Sequence, residues 1–380
     1  MIKELSESAR VAGKVLAHAS RETKDAAIEA IAAALLQREN EILAANSEDV
    51  QRSREEGISE SLIDRLTLTA PRIAGIAGGA RKIKALPDPV GLTKRERTLP
   101  NGLHLKQVTV PFGVVGMVYE ARPNVTVDAA VILLKSGNCA LLRGSSSAKR
   151  SNEVLVSIMR DAVSSVGLPA NVIQLVPSTD RSSVTELLHA RGFVDLVIPR
   201  GSAALIRTVV DEAKVPTIET GAGVCHVYVD KDGDLTKALP ILINSKVQRP
   251  SVCNAAETLL IHKDIANTFL PVALTALHEE KVVIHGDAQT IAAASSLGIP
   301  AKLAEEENWS TEYGVLEMNV RVVDDVNDAA NHIRKYGTNH TEAIISENPE
   351  TIEKFINQMD AAAIMINAST RFTDGEEMGF

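Results

Sequence analysis

One stretch of the chain holds the residues best suited to chemistry. Val247 to Ile261 reads VQRPSVCNAAETLLI, with one cysteine, Cys253, among Gln248, Arg249, Ser251 and Asn254. A thiolate is a strong nucleophile, and a nearby cation lowers the pKa at which it forms. Pro250 fixes its own backbone and bars the α region at Arg249. Asn254, followed by Ala255, Ala256 and Glu257, reads as the cap of a helix. The thiol is therefore expected at a loop-to-helix junction, near unpaired amides and the positive end of a helix dipole. A lone cysteine is otherwise a small buried hydrophobe, and these polar neighbours weigh against that alternative.

Two turns suit an anion. Arg143-Gly144-Ser145-Ser146-Ser147 and Arg200-Gly201-Ser202 each follow a strand-like run and precede a helical one. Each offers amides, hydroxyls and a cation at a helix N-terminus; the alternative for each is ordinary turn chemistry. Gly221-Ala222-Gly223 is a poor dinucleotide fingerprint, because it lies between two strand-like runs and opens no helix. Cys225 and His226 are adjacent, so on a strand they point to opposite faces and make no metal pair. No further ligands stand at zinc spacing, and no metal is expected.

The elements that must position these residues follow from periodicity. Met1 to about Ala85 is helical and amphipathic, with Ala26, Ala27, Ala30, Ile31, Ala34 and Leu35 on one face. Leu86-Pro87-Asp88-Pro89 ends that region. A hairpin is expected from Arg95–Leu99 and His104–Val110 around Asn101-Gly102. From Pro111 onward strands and helices alternate, which predicts βαβ units and mostly parallel sheets. Strands are expected at Val114–Tyr119, Cys139–Arg143, Val172–Val176, Val194–Ile198, Val215–Glu219 and Cys225–Val229, with a helix at Thr126–Lys135 after the first. Further strands are expected at Thr258–Ile261, Lys281–Ile284, Ala343–Ile345 and Ala362–Ile366, with helices between and a run at Val315–Val323. Such sheets bind ligands at the carboxyl ends of their strands.

The 380 residues exceed one ordinary core and predict two lobes. The formal charge of -9 leaves no basic field for nucleic acid or an anionic membrane. Aromatic residues are 3%, too few for base-stacking platforms. No apolar run reaches transmembrane length, and Glu4 and Glu7 stand where a signal peptide would be apolar. Three widely spaced cysteines point to a reducing compartment, the cytoplasm.

Several blocks carry a resemblance that runs from the first helices to the last residue. They are VYEARPNVTVDAAVILLKSGNCALLRGSS, IPRGSAALIR, VPTIETGAG, VQRPSVCNAAETLLIH, TEYGVL, HTEAI and INASTRFTDG, in that order. The chain resembles the gamma-glutamyl phosphate reductase family, the proline-biosynthesis branch of the aldehyde dehydrogenase superfamily. The resemblance implies an α/β, aldehyde dehydrogenase-like fold of two doubly wound lobes with a protruding β-hairpin oligomerisation arm. It divides the chain into a cofactor-binding domain (1–92 and 112–221), the hairpin (93–111), a catalytic domain (222–362) and a return segment (363–380). It implies NADPH-dependent reduction of L-glutamate 5-phosphate to the 5-semialdehyde and phosphate through a cysteine thioester.

The same resemblance assigns residues. Cys253 is the nucleophile, and Asn124 matches an asparagine whose amide helps hold the oxyanion; a turn asparagine is the alternative. Glu219 stands 34 residues before Cys253 and matches the superfamily glutamate; it belongs to the site, grouped with the cofactor residues, and its role stays open. Arg143 takes the place of a lysine that contacts the adenosine ribose or its phosphate. Ser145 and Ser146 follow it, and Ser146 stands where NAD-preferring relatives carry glutamate, so nothing repels the 2′-phosphate of NADPH/NADP. Lys149 and Arg150 are near to attract it. Gly201 and Ser202 match the pyrophosphate turn, and Glu312 matches the glutamate on the nicotinamide ribose. Arg122, Arg249 and His340 are the substrate-binding candidates, with structural ion pairing as the alternative for the arginines and a core or capping role for the histidine.

The implied partners are a small-molecule substrate, a glutamate 5-kinase that supplies it, and further copies of this chain. Family members continue past FTDGEEMGF with a strand for association, so a weakened homo-oligomer is expected. The competing readings are an oxidative semialdehyde dehydrogenase, a cysteine hydrolase and a non-catalytic scaffold.

Overall fold

A computed structural model describes residues 1–177, 180–218 and 222–378. The chain forms two compact units, Met1–Thr220 and Gly221–Phe380.

Unit 1 opens with α1 (Ile2–Leu16), α2 (Arg21–Gln37), α3 (Glu39–Glu55), α4 (Glu60–Leu66) and α5 (Ala70–Ala85). The Ser20 hydroxyl caps α2 by accepting the Thr23 N–H at 3.2 Å. This helix buries Ala27, Ile28, Ile31, Ala32 and Leu35 at helical spacing. Its Lys24 is also buried and pairs with Asp88 at 2.7 Å, which holds the turn after α5 in place. That helix stops at Leu86, whose backbone is extended, as a residue before proline prefers.

The hairpin follows as β1 (Thr93–Thr98) and β2 (His104–Val108), antiparallel, with Thr98 opposite His104 and every residue exposed. Asn101-Gly102 lies in a loop longer than a two-residue turn. The Gly102 N–H bonds the Leu99 carbonyl at 2.9 Å, and Gly102 has φ 83°. A turn closed by a left-handed glycine is the usual three-residue hairpin solution.

Strands and helices then alternate: β3 (Val114–Tyr119), α6 (Pro123–Lys135), β4 (Cys139–Arg143), α7 (Lys149–Ser165), β5 (Ile173–Leu175), α8 (Arg181–Leu188), β6 (Leu196–Arg200) and α9 (Ala203–Glu212). The sheet order is β5-β4-β3-β6, parallel throughout. β3 and β4 are buried along their whole length, as unbroken apolar strands in a parallel sheet are. Two expectations need correction. The strand expected from Val215 contributes one bridge, Thr217 to Val197. The helix expected from Thr126 begins at Pro123, because proline fits the first helical position.

Unit 2 comprises β7 (Cys225–Val229), α10 (Leu235–Val247), β8 (Ala256–His262), α11 (Lys263–Glu279), β9 (Val283–Gly286), α12 (Ala288–Ser296), β10 (Ala301–Leu303), β11 (Glu317–Val323), α13 (Val326–Tyr336), β12 (Thr341–Ile345), α14 (Pro349–Gln358) and β13 (Ala363–Ile366). Its sheet runs β10-β9-β11-β8-β7-β12-β13, again parallel. The helix expected from Asn254 is absent. The chain turns at Val252–Ala255, where the Ala255 N–H bonds the Val252 carbonyl at 3.0 Å, and enters β8. That strand lies between β7 and β11 with every side chain buried. A central strand position overrides the helical preference of Ala-Ala-Glu. No described helix is long and apolar enough to cross a membrane.

Candidate active site

Three thiols are present and their surroundings separate them. Cys139 is buried in the core of unit 1, donates to the Ala9 carbonyl at 3.2 Å, and burial pushes its pKa up to about 12. Cys225 is buried at the start of β7, donates to the Cys253 carbonyl at 3.2 Å, and burial raises its pKa well above the ordinary thiol value. Cys253 alone is partly exposed.

The expected helix dipole does not act on Cys253, since a strand follows it and the C-terminus of α10 precedes it. Two arginines, Arg249 and Arg371, stand close by. Burial lowers the pKa of Arg371 and the nearby Arg249 charge adds to that, while Asp374 and Cys253 act in the opposite sense. The Arg371 Nε donates to Gln248 at 3.1 Å, which ties it to the end of α10. Asn254, expected as a helix cap, instead donates to the carbonyls of Arg371 (3.3 Å) and Thr373 (2.8 Å). The cysteine turn and the Arg371 segment are thus joined by both side chains.

His340 completes this end. Its Nδ1 is 2.8 Å from Thr341 Oγ1, which itself donates to Thr373 Oγ1 at 2.9 Å. The Thr341 oxygen therefore accepts the Nδ1 proton, and Nε2 is left as the basic nitrogen. Burial lowers the pKa of His340, so the ring is neutral near neutral pH. Gly223 packs against the cysteine turn so closely that a Cβ there would lie 1.6 Å from the Cys253 carbonyl oxygen. Only glycine permits that approach. These residues gather at the amino ends of β7, β8 and β12. The candidate residues of unit 2 thus lie at the strand ends opposite to those expected for a ligand site.

In unit 1 the candidate residues lie at the carboxyl ends of the strands. Arg122 and Asn124 follow β3; Arg143, Ser145 and Ser146 end or follow β4; Gly201 and Ser202 follow β6. Asn124 lies in the first turn of α6, not in a preceding loop, and donates to Asp128 at 3.1 Å. Arg122 is the N-cap residue of that helix. Arg143 is buried, donating to the Ser183 hydroxyl at 3.2 Å and the Asp180 carbonyl at 3.0 Å. Ser145 and Ser147 share a hydroxyl contact of 2.6 Å.

Both expected anion sites hold a carboxylate of the chain itself. At the N-terminus of α7, buried Asp49 accepts the Ser151 N–H at 2.7 Å, the Ser151 hydroxyl at 2.8 Å and the Arg150 N–H at 3.3 Å. Arg52 pairs with Asp49 and donates to the Ser146 carbonyl at 3.0 Å. Arg150 is paired with Glu48 and Glu153, so the exposed Lys149 is the freer cation of that expected pair. At the N-terminus of α9, Ser202 donates its N–H and hydroxyl to the Glu120 carboxylate at 2.8 and 2.7 Å. A Cβ on Gly201 would lie 2.7 Å from that carboxyl carbon. Ser202 is exposed.

Glu312 is exposed, in the loop before β11. Glu219 lies outside the described residues. Sequence reasoning missed Arg371, Glu120, Asp49, Arg52 and Gly223. Arg371 and Glu120 both stand inside the quoted blocks INASTRFTDG and VYEARPN, which was the available signal.

The family model described as "Aldehyde dehydrogenase family" matches residues 1–295. The chain is 54% identical over 379 residues to a gamma-glutamyl phosphate reductase of Thermobifida fusca, covering 100% of this chain and 90% of that one. It is 52% identical over 371 residues to a protein of the same name from Kineococcus radiotolerans, covering 98% and 86%. Among solved structures, the gamma-glutamyl phosphate reductase of Thermotoga maritima is similar with a TM-score of 0.95 and 44% identity, covering 100% of this chain and 91% of that one.

Proposed function

The chain belongs to the gamma-glutamyl phosphate reductases of the aldehyde dehydrogenase family, and from that premise we propose a covalent route with Cys253 as nucleophile and NADPH as reductant. The enzyme is an oxidoreductase of proline biosynthesis that takes L-glutamate 5-phosphate to L-glutamate 5-semialdehyde and phosphate. The family uses a nicotinamide cofactor.

The observation that carries the route is the contrast among the three thiols. Cys253 is the partly exposed one, with Arg249 and Arg371 beside it. The thiolate attacks the acyl carbon, the carbon–oxygen bond to phosphate breaks, and a thioester remains on Cys253. The acyl phosphate is already activated, so its leaving group needs no protonation. When bound, the nicotinamide supplies a hydride. Cys253 leaves as thiolate when the aldehyde forms, ready for another turnover.

Other assignments follow by motif. Asn124 is the amide donor for the oxyanion. Arg249 and Arg371 suit the anionic groups of the substrate, since a guanidinium grips phosphate or carboxylate in a fork. Arg122 is carried on the ARPN block, and His340 lines the thiol end of unit 2. Ser145, Ser146, Arg143, Gly201, Ser202 and Glu312 form the cofactor set, and Glu219 joins it on its motif. A reducing compartment, the cytoplasm, suits a free catalytic thiol. The β1–β2 hairpin is the self-association arm, and a glutamate 5-kinase supplies the labile acyl phosphate.

NADPH is the preferred cofactor because no carboxylate stands at Ser146 and Lys149 is free to meet a 2′-phosphate. Kinetics with both cofactors test this. NADPH should give the higher kcat/KM, and Ser146→Glu should reduce the preference roughly fivefold, the size of about 1 kcal/mol between like charges near 4 Å in water. Equal efficiency with the two cofactors in the unaltered protein would sink the argument.

A further inference from the structure

Lys246 near the end of α10 and Glu257 in β8 are both fully buried, with 2.5 Å between Nζ and Oε2. Burying two charges costs several kcal/mol per ion, and a well-packed apolar pair is often at least as stable. Stability therefore does not account for this pair. Its second oxygen shows what the pair does: Glu257 Oε1 accepts the Gly314 N–H at 3.3 Å. Gly314 has φ +64°, a left-handed conformation that glycine adopts without strain. Its neighbour Tyr313 is fixed as well. The Tyr313 hydroxyl donates to Asn319 at 2.9 Å and accepts from Asn308 at 3.0 Å. Its ring stacks on His285 with centroids 5.4 Å apart. The two residues after Glu312 are thus held, while the Glu312 side chain stays exposed.

We propose that the Lys246–Glu257 pair is the positioning element for Glu312, and that its charge state sets how tightly the protein holds the nicotinamide cofactor. The inference rests on Glu312 binding the cofactor ribose. The groups facing the pair are Glu312 and Tyr313 from the loop, Glu317 from β11 and Cys225 from β7. His285 lies against Glu317 at 2.5 Å. Burial pushes the Glu257 pKa up to about 7 despite the pull of Lys246, and it lowers that of Lys246. Glu257 is therefore ionised and paired above about pH 7, and the pair is lost as pH falls through that value. An ionised acceptor also makes the stronger bond to Gly314.

The test titrates NADPH into the full chain by fluorescence from pH 6 to 8.5. The unaltered protein should bind more weakly as pH falls through about 7. Glu257→Gln should weaken binding about tenfold at the upper pH, the scale expected for a misplaced contact group, and should flatten the pH profile. The double variant Lys246→Met with Glu257→Leu should keep the thermal midpoint yet bind as weakly, with faster hydrogen exchange across 311–316. Unaltered affinity and pH profile in both variants would overturn the inference. Glu312→Ala separates the two layers. If it weakens binding and Glu257→Gln does not, only the positioning role falls; if it leaves binding unchanged, the role of Glu312 falls and this inference with it.

Discussion

A side chain on residue 223 would occupy the space of the Cys253 carbonyl. Gly223→Ala must therefore push the cysteine turn away from the start of β7 and break the Cys225 bond to that carbonyl. We expect a stability loss of about 1–3 kcal/mol, typical of overpacking, with slower alkylation of Cys253 by iodoacetamide. A variant with unchanged alkylation would show that the close approach is incidental. Cys253 and Arg249 were legible from the sequence because both lie in one short polar run. Arg371 was not, because it is distant along the chain and comes near the cysteine only through folding. The helix dipole was misread for a related reason: Asn-Ala-Ala-Glu has helical preference locally, but Asn254 and Ala255 form a turn and Ala256 opens a central strand.

At the scale of elements, the alternation of strands and helices was readable, since unbroken apolar runs such as Val114–Tyr119 fit buried parallel strands. β10 was not, because its three residues are largely exposed and carry no pattern. Nor did the sequence reveal that the candidate residues of unit 2 lie at the amino ends of its strands. α13 adds a prediction. Its His332 is buried, accepts a bond from Arg321 at 2.7 Å on Nδ1, and lies against Trp309, Tyr336 and His226. Burial pushes its pKa down to about 2. The folded pKa lies below the unfolded one, so the unfolded chain takes up the proton first. Stability is full above about pH 6.5 and falls below it, by at most about 1.4 kcal/mol per pH unit. Urea midpoints at pH 7, 6 and 5 should show that slope, and His332→Gln should flatten it. An equal slope in the variant would place the acid sensitivity elsewhere.

For the whole molecule, a charge of -9 and an exposed hairpin bear on association. Leu103 and Leu105 are exposed apolar residues on that hairpin and its loop. If it is a self-association arm, Leu103→Asp with Leu105→Asp should lower the mass seen by light scattering, and an unchanged mass would remove the hairpin from that role. The central claim is the thioester on Cys253. The most direct measurement runs the reaction backward: NADP reduction by glutamate 5-semialdehyde, with and without inorganic phosphate, in the unaltered enzyme and in Cys253→Ser. Turnover should depend on phosphate and fall by roughly a thousandfold or more in the variant, with NADPH binding retained. Phosphate-independent turnover of similar size, or a serine variant that keeps most of its rate, would contradict it.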